Sequence, residues 1–411
     1  ISGRGMSIRT FLEIANVMEA DLIVFSANME AEQGIGINEI WLEQLLSPIS
    51  GNYDMVFGSM PQYFGLNSSA PYFTLPVLES IYGMRIGSAS GGVYTFDHSF
   101  VEELAEEAKF WSGFIDGYGF DIWAITRALV WGKMICEVQL GAKTILSNPQ
   151  RANLIFFENA MMLSECIKRD QDFWLKEHLV IKVPDVLARR ENGPLEIVKF
   201  PVDMLLAEFK RLTTEFADVL QSALPVDMVE EIKCLASSEQ ESFSMRDELW
   251  VKGVCCLLTE YAFAEGKDKE SGEALWALAA LYNGRVASNI LQINNFREMV
   301  KAFPERERYS LAIHKIGLIC RQITEQFWKQ RVEMSKRWVL QAEKFKPVLV
   351  PLGYMEYVPG KPVVVPREIK GKDERVAYVE SVFNLLRQKY ENNFEKFIVK
   401  GLKLRKDYST A

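Results

Sequence analysis

Apolar residues recur with two different periods through the first 150 positions and with one beyond them. Between 7 and 19, Ile8, Leu12, Ala15 and Val17 fall on one side of a helical repeat, and the continuously apolar run Leu22 to Phe25 then reads as a short buried strand. The alternation continues. Trp41, Leu42, Leu45, Leu46 and Ile49 step at helical spacing, Asp54 to Gly58 is a second strand, and Leu75 to Tyr82 is a helix. Gly91 to Phe96 is a strand with a glycine entry, Phe100 to Ala108 a helix, and Asp121 to Trp131 a helix preceded by Gly117, Tyr118 and Gly119. Met134 to Leu140 closes the layer as a strand. Strands alternating with helices predict an α/β domain over 1–150.

Beyond 150 the strand-like runs give way to helical patterns, predicting a mostly α-helical domain over 151–345. Leu205, Phe209, Leu212, Phe216 and Val219 step by four and three, as do Ile316, Cys320, Ile323 and Phe327, so each set marks the core stripe of one helix. In 346–411, Pro347, Pro351, Pro359, Pro362 and Pro366 among valines predict an extended arm, followed by a last helix from about Asp373 to Lys400.

Composition narrows the classes. A net charge of -8 argues against nucleic acid as a partner, because phosphate-backbone binding needs clustered cations. The lysines from Lys389 to Lys406 are spaced through a helical pattern as a solvated face. No run approaches the roughly 18 apolar residues of a membrane helix, and the opening Ile1 to Gly5 lacks the form of a signal peptide. Cys136, Cys166, Cys234, Cys255, Cys256 and Cys320 have no paired spacing, as for small apolar side chains in a reducing compartment. The expectation is a cytoplasmic protein. With only His98, His178 and His314, histidine-based catalysis has little material.

Several segments follow one another in a specific order. Gly3-Arg4-Gly5 precedes a helix and an apolar strand that ends in Ser26, Ala27 and Asn28. Downstream come Trp41 to Pro48, Asn52 to Asp54, Pro76 to Arg85, Ser90 to Val93, Tyr118 to Trp123 and Leu140 to Lys143. Glu248 to Val251 and Leu281 to Arg285 lie in the helical region. In order and spacing this series resembles the GT-A glycosyltransferases, and within them the mannosylglycerate and glucosylglycerate synthase-like family, from residue 3 to about 290. The resemblance implies a Rossmann-like nucleotide-diphospho-sugar transferase domain, partial here, followed by the helical domain.

The family's Asp-x-Asp motif, which holds a divalent cation on the donor diphosphate, falls on Ser26, Ala27 and Asn28. The place of its metal-binding histidine falls on Thr144 and Ile145, and Val93 stands where the family has an acid. A hard cation on a diphosphate needs carboxylate oxygens, and these positions supply none. No metal ligand is therefore assigned, although the relatives use Mg or Mn. Glu30 and Glu32 are weighed as a displaced carboxylate pair and read as solvated loop residues. Arg4, Arg85 and Lys143 could neutralise phosphate directly, whereas Arg9 sits in a helix facing water. The resemblance places Ser26, Asn28, Gly91 and Gly92 beside the donor with those cations. It gives Asp121 contact with the acceptor or its deprotonation, and Asp121 also suits a helix N-cap. Gly91 and Gly92 suit either close approach to a sugar or a turn.

Relatives place the nucleotide base on strands that precede Gly3, so the chain is expected to lack an upstream piece, or to have its sheet edge covered by a homo-oligomer or partner chain. Residues 346–368 are a further candidate cover. Three functions stay open: a divergent glycosyltransferase-family protein in which lost metal ligands put catalysis in question; an active, metal-independent transferase moving a hexose from a nucleotide-sugar to a small hydroxylated acceptor; and a non-catalytic partner-binding or assembly protein.

Overall fold

The computed structural model describes residues 4–25, 39–59, 70–86, 92–110, 115–140, 149–175, 184–188, 201–264 and 268–344. The expected arm over 346–368 and the last helix lie outside them, as do Lys389 to Lys406 and His178. Helix α1 (Arg4–Val17) leads to β1 (Leu22–Val24), α2 (Glu39–Leu46), β2 (Met55–Ser59), α3 (Leu75–Tyr82), β3 (Tyr94–Phe96) and α4 (His98–Glu107). There follow α5 (Phe120–Val130), β4 (Ile135–Gln139), α6 (Pro149–Arg169), α7 (Gln171–Trp174) and β5 (Asp185–Ala188). Helices α8 (Val202–Glu215), α9 (Ala217–Ala223), α10 (Val226–Ser237), α11 (Asp247–Phe263), α12 (Asp268–Met299) and α13 (Glu305–Lys344) complete the described order.

The five strands form one mixed sheet in the order β1-β3-β2-β4-β5. β3 runs antiparallel to both β1 and β2, and β2, β4 and β5 are parallel, so β3 alone opposes the others. One register row crosses the sheet through Val24, Tyr94, Phe57 and Glu137. The side chains of Val24, Phe57, Tyr94 and Phe96 join a large core beneath α1, α4 and α5. The opposite face, through Val56, Val93, Cys136 and Val138, packs with Trp41 and Leu45 of α2 in a second core. Alternate residues therefore serve two covered faces, which is why the strands read as continuous apolar runs.

Three expectations are corrected. β4 does not close the layer, because β5 pairs parallel to its far side; five short residues from Pro184 to Ala188 carry too little periodicity to stand out among helical patterns. The stripe from Leu205 to Val219 spans two helices: Phe216 sits between α8 and α9 at φ -108 and ψ 30, while Phe209 and Leu212 stay buried. Val17 is 84% exposed and does not share the buried face of Ile8, Leu12 and Ala15. The stripe Ile316, Ile323 and Phe327 on α13 is buried as its spacing requires, with Cys320 packed partly buried beside it.

Helix α13 ties the sheet to the helical layer. Its Trp328 Nε1 donates to Glu79 Oε1 of α3 at 3.2 Å, and Arg331 Nη2 donates to the Trp174 carbonyl of α7 at 2.5 Å. Arg337 Nη2 donates to the Ala223 carbonyl at the end of α9 at 2.7 Å, where a cation also meets the negative end of the helix dipole. Trp338, fully buried, packs edge-on against Trp174 at 5.5 Å and lies 4.9 Å from Phe263 of α11. One core runs without a break from Ile8 of α1 to Trp338, and residues 1–345 form one compact unit. None of the described helices is long and apolar enough to cross a membrane.

None of the six cysteines is in a disulfide, and Cys234 is exposed. Burial pushes the Cys166 thiol up from 9.0 to about 11 and Cys136 to about 12. A thiol whose folded value is raised holds its proton more tightly folded than unfolded. Its contribution is complete below the unfolded value and lost as pH climbs towards the folded one. The urea midpoint is expected to hold to about pH 8 and fall steadily towards about pH 11; a midpoint flat over that range would contradict it.

Candidate functional site

Two of the residues singled out by the resemblance meet each other. Arg4 opens α1, and Asp121 lies in the first turn of α5. Arg4 Nη1 donates to Asp121 Oδ2 at 2.8 Å across 117 residues of chain, with both side chains at least four-fifths shielded from solvent. The Tyr94 phenol at the start of β3 makes hydrogen bonds with both groups. Helix α1, the sheet and α5 are thus joined at one point.

The electrostatics of the three groups are mutual. Burial works to lower the Arg4 value, but the Asp121 carboxylate and the Tyr94 oxygen outweigh it and hold the guanidinium above its ordinary range. Burial pushes the Tyr94 phenol well up, the charge of Asp121 adds to this, and Arg4 only partly offsets it. The cluster therefore holds a cation, an anion and a neutral phenol. Its formal charges cancel, so it presents no net positive charge to a diphosphate. Asp121 Oδ1 and Arg4 Nη2 remain buried with no hydrogen-bond partner.

Asp121 is not the N-cap of α5: that place belongs to Gly119, with no side-chain cap. The turn Ile115–Gly119 continues straight into the helix. Arg85 is not beside this cluster by any described contact. Its side chain is 57% exposed, and its Nε and Nη2 donate to Glu79 at 3.1 and 2.8 Å. Glu79 is 6% exposed and also accepts from Trp328, so Arg85 is engaged in the tie between α3 and α13. The bond to Glu79 raises its pKa. Gly92 has φ 68, the left-handed region, so the backbone entering β3 demands glycine for a turn. Val93, where the resemblance would put an acid, is 1% exposed and packs in the core under α2. Arg9 pairs with Glu13 one turn along α1. Ser26, Asn28, Gly91 and Lys143 lie outside the described residues, as do Glu30, Glu32, Thr144 and Ile145.

Two functional-looking residues escaped the sequence. Tyr94 reads as one more apolar strand residue, and only its hydroxyl hinted at a polar neighbour. Glu158 of α6, followed by Asn159, breaks the apolar run from Leu154 to Leu163 as its single acid, which is the signal that could have found it. Its Oε2 accepts from the Tyr118 N–H at 2.7 Å. Among the described residues, no group of three or more His, Cys, Asp and Glu side chains stands close enough to share a metal ion.

No family model matches the chain, and no curated protein matches it.

The two members of the Arg85–Glu79 pair are separable by stability. Glu79→Ala strands the Trp328 donor and is expected to cost about 2 kcal/mol, whereas Arg85→Ala, at an exposed partner, should cost less than about 1 kcal/mol. Urea unfolding of both variants checks this, and an Arg85→Ala cost equal to that of Glu79→Ala would show Arg85 buried in function or structure.

Proposed function

We propose that the chain is a divergent protein of the GT-A glycosyltransferase class that does not carry out metal-assisted sugar transfer. The order of motifs from Gly3 to Arg285 supports the class. So does the mixed sheet, in which Val24, Ser59 and Gln139 at the carboxyl ends of β1, β2 and β4 share an edge with the start of β3. In open α/β sheets ligands bind at that edge. The strand ends that lead towards Ser26, Gly91 and Lys143 all lie there.

One observation carries the loss of transfer: Asp121 and Arg4 are engaged with each other and with Tyr94. The groups that the resemblance assigns to the acceptor and to the donor phosphate neutralise one another. Val93 in the core removes a further acid.

A second reading rests on a different detail. Asp121 Oδ1 and Arg4 Nη2 are an unpaired, buried acceptor and donor on adjoining groups, the complement of a single hydroxyl. This favours metal-independent transfer of a hexose from a nucleotide-sugar to a small hydroxylated acceptor. Incubation of the protein with GDP- and UDP-hexoses, with and without Mn²⁺, separates the readings by nucleotide release. The expected result is release no faster than in the absence of protein. Release unaffected by EDTA would establish the second reading, and Mn²⁺-dependent release would overturn both.

A further inference from the structure

The segment Ile115–Gly119 is held from two sides, by α1, which carries Arg4, and by α6, which carries Glu158. It passes directly into α5, whose second residue is Asp121. Where it turns, Gly117 has φ -100 and ψ -131, outside helical geometry. The Glu158 carboxylate fills the space at that turn. A Cβ on Gly117 would lie 2.4 Å from Glu158 Oε2 and 2.7 Å from its Cδ and Oε1, and no other group ranks among its three nearest atoms. The same Oε2 accepts the Tyr118 N–H at 2.7 Å. An anion at this place also complements the positive end of α5.

We propose that Glu158 is the positioning residue of the Arg4–Asp121 pair: seated on Gly117 and bound to the Tyr118 N–H, it sets the angle at which α5 enters and so aims the Asp121 carboxylate at Arg4. The proposal rests on the reading of that pair as the centre of the site, and it gives the glycine of the Gly117-Tyr118-Gly119 turn a cause. Glycine leaves the side-chain position open for a carboxylate from another helix, which a methyl there would displace.

The test follows hydrogen exchange of the Arg4 guanidinium in the full chain labelled with ¹⁵N-arginine, the signal being assigned by its loss in Arg4→Lys. Glu158→Ala is expected to speed that exchange by about tenfold, the factor that follows from losing one hydrogen bond of about 1.4 kcal/mol. Glu158→Gln keeps a carbonyl oxygen for the Tyr118 N–H and is expected to restore slow exchange. Gly117→Ala should displace the carboxylate and mimic Glu158→Ala, and the two changes combined should cost less than their sum, because removing the carboxylate makes room for the methyl. If Glu158→Ala does not fold, Glu158→Asp, one methylene short of Tyr118, carries the same expectation. Slow Arg4 exchange in Glu158→Ala with only a lowered melting temperature, or failure of Glu158→Gln to restore it, overturns the proposal. Nucleotide release does not enter this readout, so sugar transfer by the wild type would overturn the functional reading and leave this one standing.

Discussion

A single ion pair, Arg4 with Asp121, decides how the rest of this protein is understood. A buried cation and a buried anion each cost several kcal/mol to remove from water, and they become tolerable only when each neutralises the other and finds further hydrogen bonds. Tyr94 supplies those bonds from the sheet. The consequence is structural and chemical at once. The pair pins α1 to the sheet and to α5, and under the proposed function it engages both groups that a sugar-nucleotide transferase would use. Val93 packed under α2 is likewise part of the core, and Arg85 held by Glu79 is part of its ties.

The helical region does more than cover the sheet. Helix α13 touches α3 through Trp328, α7 through Arg331, α9 through Arg337 and α11 through Trp338. Its cations end on carbonyls at helix termini, where they satisfy acceptors that have no partner within their own helices. A ligand-binding edge on a sheet is only as well defined as the helices that fix the strands and their connections. Here the connection into α5 is fixed from α6 by Glu158 and from α1 by Arg4.

Much of the fold was legible in the sequence because its signals are local. The strands at 22–24, 55–59, 94–96 and 135–139 and the helix at 75–82 stand where apolar runs and helical spacing put them. β5 was not legible, since a short edge strand after a helical stretch is defined by its parallel partner β4 and by little in its own residues. The break at Phe216 was hidden for a related reason: the apolar stripe runs on across two helices that bury the same side. At the site, Arg4 and Asp121 were each visible, but their meeting was not. A contact across 117 residues depends on the packing of α1 against α5's entry turn, and no period or motif encodes it. Tyr94 was missed because a tyrosine in a strand gives no sign of its partners, and Glu158 because a single acid in an apolar run names no partner.

The most direct measurement of the central claim is a double-mutant cycle between Arg4→Met and Asp121→Leu, read by urea unfolding. If the two side chains hold each other as described, each single variant strands a buried charge, the double variant recovers much of the loss, and the coupling reaches about 2 kcal/mol or more. Additive losses, with coupling below about 0.5 kcal/mol, would show that Asp121 is free of Arg4 and return both residues to the donor and acceptor roles that the resemblance assigned them.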